Sequence, residues 1–204
     1  MKTPSRRGLA RPARASPPAM RAVGAVRLIG GQWRGTRLAV PDAPGLRPTA
    51  DRVRETLFNW LAPMLPGARV LDLFAGSGAL GLEAVSRGAA AAVLVERDPG
   101  LAEALRTVAA RLPGGEALRV VQTDALAWLG SAPTQAFDLV FVDPPFAAGL
   151  WDAVLPALLP WLSADAWLYL ETPGEAVVDM PPPWALHREG RTREVRYALY
   201  RRLR

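Results

Sequence analysis

Four consecutive residues, Asp143-Pro144-Pro145-Phe146, combine groups that are suited to chemistry on an amine. This tetrapeptide directly follows the apolar run Phe137 to Val142, which is typical of a buried strand. The end of such a strand lies at the carboxyl edge of a parallel sheet, where ligands of α/β proteins bind. We therefore expect the tetrapeptide to lie where a ligand and a substrate meet.

The tetrapeptide offers two hydrogen-bond acceptors and one aromatic face. A nucleobase amine is a poor nucleophile because its lone pair is delocalised into the ring, so its nitrogen must be aimed in line at the carbon that it attacks. The Asp143 carboxylate and the Pro144 carbonyl can accept both amino hydrogens and stabilise the positive charge that develops on nitrogen. Phe146 can stack on the base. The pattern favours methyl transfer to an amine, with Asp143, Pro144 and Phe146 as catalytic residues; alternatively, the prolines only end the strand and Asp143 caps the turn.

A second motif, Gly76 to Gly81, fits the pattern Gly-x-Gly-x-x-Gly between a predicted strand and a predicted helix. The pattern alone leaves two cofactor classes open. Nicotinamide dinucleotides use it to bind a pyrophosphate, whereas S-adenosylmethionine has no phosphate and requires polar contacts to its amino-acid part. Asp72, four residues before the first glycine, can organise the loop and meet the ammonium group of that part. Since hydride transfer does not need the tetrapeptide, the two motifs together favour S-adenosylmethionine.

Two further acids follow the next two predicted strands. Glu96 lies twenty residues after Gly76, at the position from which an acid binds the ribose hydroxyls in either cofactor class. Asp124 follows the third strand and can accept a hydrogen bond from the adenine amino group. Either acid could instead cap a helix. The residues that we assign to the cofactor site are Asp72, Phe74, Gly76, Gly78, Glu96 and Asp124.

The chain from residue 69 to residue 171 alternates predicted strands with predicted helices. The strands are 70–74, 92–96, 118–122, 137–142 and 167–171; the helices are 79–87, 101–112, a short one before 137, and 150–162. This alternation predicts an α/β domain with a mostly parallel sheet and helices on both faces. Residues 185–188 and 194–200, around Gly190, predict an antiparallel hairpin that closes the sheet.

The first 41 residues carry nine positive side chains and no acid, whereas the remainder carries 16 basic and 19 acidic residues. We predict a flexible basic arm over residues 1–23, for which a solvated tail and a transit peptide are the alternatives. Residues 24–48 are predicted to form a β-hairpin and a loop, with strands at 26–29 and 33–40 around Gly30-Gly31. The hairpin bears Arg27, Arg34 and Arg37. Such a basic leader fits RNA as a partner, since arginines displace counterions from a phosphate backbone.

The catalytic domain is predicted to span residues 49–204 and to begin with a helix. Thr49 can cap this helix, and Asp51 in its first turn suits the helix dipole. The residues that share one face of it, and that we expect to be buried, are Val53, Leu57, Trp60 and Leu61.

Composition excludes several classes of site. The chain has no cysteine, so it forms neither disulfides nor thiolate metal sites. His187 is the only histidine and cannot build a multi-histidine metal site, so we expect no metal. No run reaches the roughly 18 apolar residues that a membrane helix needs, and no apolar stretch resembles a secretory signal. We expect a cytoplasmic protein that has no membrane partner.

From Val26 to Arg202 the chain resembles the bacterial 16S ribosomal RNA (guanine(966)-N(2))-methyltransferase family. The resemblance rests on three segments: Arg27 to Gly35, Gly45 to Thr49 together with Asp51 to Trp60, and Asp72 to Gly81. The first two are far more specific than the glycine-rich third.

The resemblance implies a class I methyltransferase fold, which is Rossmann-like with a mostly parallel seven-stranded sheet. It also implies S-adenosylmethionine as cofactor and, as substrate, N2 of one guanine in 16S RNA, free or within the small subunit. The predicted RNA-binding residues become Arg27, Arg34, Arg37, Arg47, Arg52 and Arg54, although the last two could lie on a solvated helix face. The residues alone leave open N6-adenine methylation and a non-catalytic RNA-binding assembly factor. We expect a monomer.

Overall fold

The central sheet of the protein has seven strands within the part described by the computed structural model, which comprises residues 22–41, 51–176, 178, 180 and 182–203. Strands β1 (Ala22–Arg27) and β2 (Arg37–Pro41) form a separate hairpin. The strands of the central sheet are β3 (Arg69–Asp72), β4 (Ala91–Glu96), β5 (Leu118–Gln122), β6 (Phe137–Val142), β7 (Leu162–Pro173), β8 (Trp184–Arg191) and β9 (Val195–Arg202).

The strand order is β5-β4-β3-β6-β7-β9-β8. Strands β3 to β7 are parallel, and β9 pairs antiparallel with both β7 and β8. The direction of strand order reverses between β3 and β6, which is the switch point at which open α/β sheets bind ligands. The predicted fold class, including the C-terminal antiparallel hairpin and the small N-terminal hairpin, is confirmed.

Five helices cover the two faces of the sheet in the described residues. They are α1 (Asp51–Leu61), α2 (Ala79–Ser86), α3 (Pro99–Ala109), α4 (Ala125–Leu129) and α5 (Trp151–Leu158). Helices α1, α2 and α3 pack on one face together with the N-terminal hairpin, and α4 and α5 pack on the other. None of these helices is long and apolar enough to cross a bilayer.

Helix α1 buries the predicted face with one exception. Val53, Leu57 and Leu61 are buried as expected, and Phe58 beside them packs edge-on against Phe141 at 6.1 Å between ring centroids. Trp60 is only partly buried and stacks on Tyr197 at 5.5 Å. The predicted cap Thr49 and the loop 42–50 lie outside the described residues, as do residues 1–21 of the arm predicted over 1–23; its last two residues belong to β1 instead, where Ala22 pairs with Pro41.

The N-terminal hairpin is fastened to helix α2 by a buried carboxylate. Glu83, with no exposed surface, accepts hydrogen bonds at 2.7 Å from each of the backbone N–H groups of Ile29 and Gly30. The Ser86 hydroxyl donates to the Gly30 carbonyl at 2.6 Å and accepts from the Trp33 backbone at 2.9 Å. The connection between β1 and β2 is therefore longer than the predicted two-glycine turn. Because α2 binds this connection, β1 ends before it at Arg27 and β2 begins after it at Arg37.

Gly190 lies within β8, and the turn that we predicted there occurs at Thr192 to Glu194 instead. The Thr192 hydroxyl holds this turn by accepting from the backbone of Val195 at 3.0 Å. Gly190 pairs with Tyr197, whose ring occupies the space in which a side chain at position 190 would lie. The glycine is thus required by cross-strand packing, which sequence periodicity does not distinguish from a turn.

Helix α5 and strand β7 also differ from their predicted bounds. The helix ends at Leu158 and continues as a 3-10 turn over residues 159–161 that contains Pro160. Strand β7 then begins at Leu162, five residues before the predicted start. Two prolines, Pro156 and Pro160, end the α-helical hydrogen bonding early and leave more of the chain for the strand.

We predict that Gly190→Ala lowers the free energy of unfolding by about 1–3 kcal/mol, since the added methyl group must displace the Tyr197 ring. Urea unfolding measures the change. Gly24→Ala is the matched control, because Gly24 also lies in a strand but has open space at the position of a Cβ. Equal stability of the two variants would contradict this account of Gly190.

Candidate active site

The carboxyl ends of the parallel strands bring five acidic residues to one edge of the sheet. They are Asp72 on β3, Glu96 on β4, Asp124 after β5, Asp143 after β6 and Glu171 on β7. Parallel strands necessarily end on the same side, so residues separated along the chain meet there. Four of the five were predicted as site residues, and the fold places all four at this edge.

The glycine-rich loop is held in place by Asp72. One oxygen of this carboxylate accepts from the Gly81 backbone N–H at 2.9 Å, and the side chain is almost fully buried. Gly76 and Gly78 have φ values of 52° and 77°, a left-handed conformation that favours glycine. A Cβ on Gly81 would lie 3.2 Å from the Asp72 side chain. The glycines therefore allow both the turn and the close packing of α2 on β3.

Glu96 holds the same loop from the neighbouring strand. Its two carboxylate oxygens accept from the backbone N–H groups of Gly76 at 2.8 Å and Asp98 at 2.7 Å. The side chain is buried, with 8% of its surface exposed. The predicted contact with ribose hydroxyls stays a prediction, and the structure adds a second task, which is to fix the loop.

Asp124 caps helix α4. One of its carboxylate oxygens accepts from the backbone N–H groups of Leu126 at 2.9 Å and Ala127 at 3.1 Å. The residue is exposed, and its other oxygen has no hydrogen-bond partner among the described residues. The helix cap that sequence reasoning offered as an alternative is therefore present, and it leaves an acceptor at the sheet edge.

The tetrapeptide lies beside this loop, directly after the central strand β6. Val142 is buried, Pro144 is buried, and Asp143 is partly buried with an electrostatic contact to Tyr169. Phe146 begins a short 3-10 turn and packs against Trp151 of α5 at 6.3 Å between ring centroids. The backbone N–H of Leu73, which follows β3, donates to the Phe141 carbonyl at 3.1 Å. The pairing of β3 with β6 therefore continues to the residue that follows Asp72.

Sequence reasoning missed Tyr169 and Glu171, which lie at the end of β7. The Tyr169 hydroxyl donates to the Glu171 carboxylate at 2.7 Å, and both residues are buried. The signal was present, because Glu171 is an acid at the end of a predicted parallel strand, as Asp72 and Glu96 are. Phe74, a predicted cofactor residue, lies just after β3, partly buried against the core that contains α4 and α5.

The predicted RNA-binding arginines divide into two groups. Arg27, Arg34, Arg37 and Arg52 are exposed, and Arg27 and Arg37 are directly opposite each other in the β1–β2 hairpin. Like charges in this arrangement repel each other, which an anion between them would relieve. Arg47 lies outside the described residues.

The structure contradicts the predicted RNA contact of Arg54, because the side chain of this residue has no exposed surface. Its guanidinium donates to the Arg27 carbonyl at 2.8 Å and to Asp51 at 2.6 Å, and lies 3.8 Å from the Glu83 carboxylate. Glu83 also pairs with Arg87 at 2.7 Å. Arg54 thus neutralises the buried acid that holds the N-terminal hairpin, and the prediction of an RNA contact was wrong.

The buried carboxyl of Asp72 should make stability depend on pH. Burial raises the pKa of Asp72 from its ordinary value of 3.8 to about 7; the Gly81 hydrogen bond opposes this increase and the charge on Glu96 adds to it. Between these two values the folded protein holds a proton that the unfolded chain has released, so stability falls as the pH rises through this window and levels off above it.

We predict that Asp72→Asn, which keeps an acceptor for Gly81, reduces the loss of unfolding free energy between pH 5 and pH 8 by up to about 3 kcal/mol, since about two of the pKa units lie within this interval. Urea unfolding of both proteins at the two pH values measures this difference. Asp152→Asn, at an exposed acid in α5, is the control and should retain the wild-type pH dependence. Parallel pH profiles for wild type and Asp72→Asn would contradict the assignment.

Comparison with known proteins shows to which family the chain belongs. The family model described as Conserved hypothetical protein 95 matches residues 26–201. The chain is 50% identical over 182 residues to Ribosomal RNA small subunit methyltransferase D of Escherichia coli strain K12, covering 88% of this chain and 91% of that protein. The protein of the same name from Haemophilus influenzae is 42% identical over 183 residues, covering 88% and 95%.

A solved structure agrees with these relatives. A putative methyltransferase from Escherichia coli matches with a TM-score of 0.81 at 46% identity, covering 88% of this chain and 98% of that chain. The chain therefore belongs to the family of the ribosomal RNA small subunit methyltransferase D proteins and has the class I methyltransferase fold.

Proposed function

We propose that this protein transfers a methyl group from S-adenosylmethionine to the exocyclic N2 of a guanine in 16S ribosomal RNA. The observation that carries the proposal is the position of the tetrapeptide at the switch point of the sheet, beside the strand that bears Asp72 and the glycine-rich loop. The names of the relatives support ribosomal RNA of the small subunit as the substrate. The proposed partner is 16S ribosomal RNA in an assembling or complete small subunit. We propose that the enzyme is a monomer and acts in the cytoplasm.

The residues at the sheet edge fit a cationic cofactor better than a phosphorylated one. The loop from Asp72 to Gly81 contains no basic side chain, and the carboxylates of Asp72 and Glu96 hold it. A pyrophosphate would meet negative charge at this place, whereas an ammonium and a sulfonium would meet the opposite charge. S-adenosylmethionine, when bound, supplies an electrophilic methyl group on its sulfonium.

Each remaining member of the predicted cofactor set has a task consistent with its position. We assign Asp72 to the ammonium group, Glu96 to the ribose, and the second oxygen of Asp124 to the adenine amino group. Phe74, Gly76 and Gly78 shape the loop around the cofactor. Because Glu96 and Asp124 already hold backbone N–H groups, their free lone pairs are fixed in direction before a ligand arrives.

The tetrapeptide orients the amine that receives the methyl group. The Asp143 carboxylate and the Pro144 carbonyl accept the two hydrogens of N2, which directs the nitrogen lone pair at the methyl carbon and stabilises the charge that develops during transfer. A proton leaves N2 after the new bond has formed, and Asp143 is the nearest acceptor in this arrangement. Phe146, fixed by its contact with Trp151, offers a face on which the base stacks after it leaves the RNA helix.

Asp143→Ala tests this assignment. We expect methylation to fall at least about 100-fold, since one of two orienting acceptors is lost, while the affinity for S-adenosylmethionine changes little. The assay is incorporation of labelled methyl groups into unmodified small subunits, with cofactor binding followed by calorimetry. Asp138→Ala is a matched control, because Asp138 lies on the same strand at the opposite end and pairs with Arg69.

Undiminished turnover by Asp143→Ala would reject the tetrapeptide as the catalytic site. Analysis of the labelled base separates the alternatives that the sequence left open. Label on N6 of adenine would replace the guanine assignment, and no label on subunits or free RNA would favour a non-catalytic RNA-binding factor.

The exposed arginines of the N-terminal hairpin are the proposed RNA contacts, together with Arg47 and Arg52. We predict that Arg27→Gln and Arg37→Gln each weaken RNA binding and reduce the steepness of log K against log salt by about 1, as expected when one phosphate contact is lost. Filter binding to the target RNA over a salt series measures the slope.

Arg119→Gln is the control for charge alone. Arg119 is exposed on β5, where it alternates with Leu118 and Val120, which pack against the core that includes the hairpin; Arg119 therefore points to the other face of the sheet. The Arg119→Gln variant should therefore show the wild-type slope of log K against log salt. An identical slope in the Arg37 variant and the wild type would remove the hairpin from the RNA interface.

A further inference from the structure

The end of β7 lies directly beside the tetrapeptide. In the parallel register Phe141 is opposite Tyr169 and Val142 is opposite Leu170, so the next residues along the two strands are Asp143 and Glu171. Neighbouring strands are about 4.8 Å apart, and alternate residues share a face of the sheet. Two carboxylates thus lie side by side at the catalytic edge, one directly after β6 and one near the end of β7, on the side on which Tyr169 lies.

Glu171 is linked to the tetrapeptide indirectly, through Tyr169 and Trp151. Its carboxylate accepts from the Tyr169 hydroxyl at 2.7 Å, and Tyr169 itself interacts electrostatically with Asp143. Its backbone carbonyl accepts from the indole N–H of Trp151 at 3.1 Å, and the same indole packs on Phe146. Glu171 is therefore connected to the first and the last residue of the tetrapeptide through one intermediary each.

Tyr169 acts as a permanent donor to this carboxylate. Burial raises the pKa of Tyr169 well above its ordinary value of 10, and the neighbouring charges of Glu171 and then Asp143 raise it further. The phenol consequently keeps its proton at physiological pH. Because this donor restrains one oxygen of Glu171, the direction of the carboxylate is set before a substrate arrives.

A base whose N2 is bound by Asp143 and Pro144 presents its N1 to a neighbouring group. In guanine N1 carries a hydrogen, so the edge offers a row of donors from N1 and N2. In adenine, and in 2-aminopurine, N1 instead carries a lone pair. A carboxylate can accept from N1–H and would be repelled by a lone pair, so an acid beside Asp143 distinguishes these bases.

We propose that Glu171 is a specificity-determining residue that accepts a hydrogen bond from N1–H of the target guanine while Asp143 and Pro144 hold N2. The inference rests on the proposed function and deepens it, because it supplies a physical reason for guanine that the tetrapeptide alone does not contain. Only 3% of the surface of Glu171 is exposed, so little water screens the repulsion between its carboxylate and a lone pair on N1. A base without N1–H is rejected for this reason.

The experiment uses small subunits reconstituted with 16S RNA in which the target position holds guanine or 2-aminopurine, which keeps the 2-amino group but has no hydrogen on N1. We expect wild-type kcat/KM to favour guanine by at least about 100-fold. Glu171→Gln should reduce this ratio at least about tenfold, because the amide can turn to donate to the N1 lone pair. A general loss of structure would lower both rates and leave the ratio unchanged.

Glu175→Gln is the matched control, since it makes the same chemical change at an exposed position four residues further on, and should keep the wild-type ratio. Melting temperature and S-adenosylmethionine affinity of each variant show whether the fold persists. A ratio in Glu171→Gln equal to that of wild type would overturn the inference.

The wild-type ratio can overturn the inference even if Glu171→Gln does not fold. A wild-type enzyme that methylates guanine and 2-aminopurine equally well would overturn the role of Glu171 and leave the proposed function intact. Absence of guanine methylation in the wild type would reject the proposed function itself, and with it the inference.

Discussion

Two buried carboxylates fix the backbone on which the active site depends. Asp72 and Glu96 end adjacent parallel strands and bind the two ends of the same loop, at Gly81 and Gly76. A buried carboxyl group requires hydrogen bonds to replace water, and backbone N–H groups in a tight turn supply them. The loop in turn needs acceptors for N–H groups that cannot bond within a helix. Each part satisfies the other, so the position of α2 and the shape of the cofactor edge are set together.

Helix α2 transmits this order to the N-terminal hairpin. Its first turn is bound by Asp72, and its later residues Glu83 and Ser86 bind the connection between β1 and β2. Arg54 and Arg87 offset the charge of Glu83. The hairpin that carries the exposed arginines is therefore attached to the same helix that follows the cofactor loop. The arginines that we propose for RNA and the loop that we propose for the cofactor are therefore both attached to helix α2.

Sequence reasoning succeeded where the relevant interactions are local or follow from strand direction. An apolar run that ends in an acid predicts an acid at the carboxyl edge of a parallel sheet, because parallel strands end at a common edge; Asp72, Glu96, Asp124 and Asp143 lie at that edge as predicted. It failed where the partner is distant along the chain. Glu83 binds a turn more than fifty residues away, so nothing near it indicated that Arg54 faces inward. Gly190 resembled a turn because the cross-strand ring of Tyr197 is not visible in local sequence.

The cross-strand pair of Arg27 and Arg37 leads to opposite responses to ionic strength. Arg27 and Arg37 are cross-strand partners with exposed side chains, an arrangement in which like charges repel, so added salt should screen the repulsion and stabilise the free hairpin. In the complex with RNA that we propose, a phosphate would supply the compensating charge, and added salt would weaken the contact. The repulsion that destabilises the free hairpin in dilute buffer would then be relieved when a phosphate binds, which would add to the binding energy a contribution that unpaired single arginines do not provide.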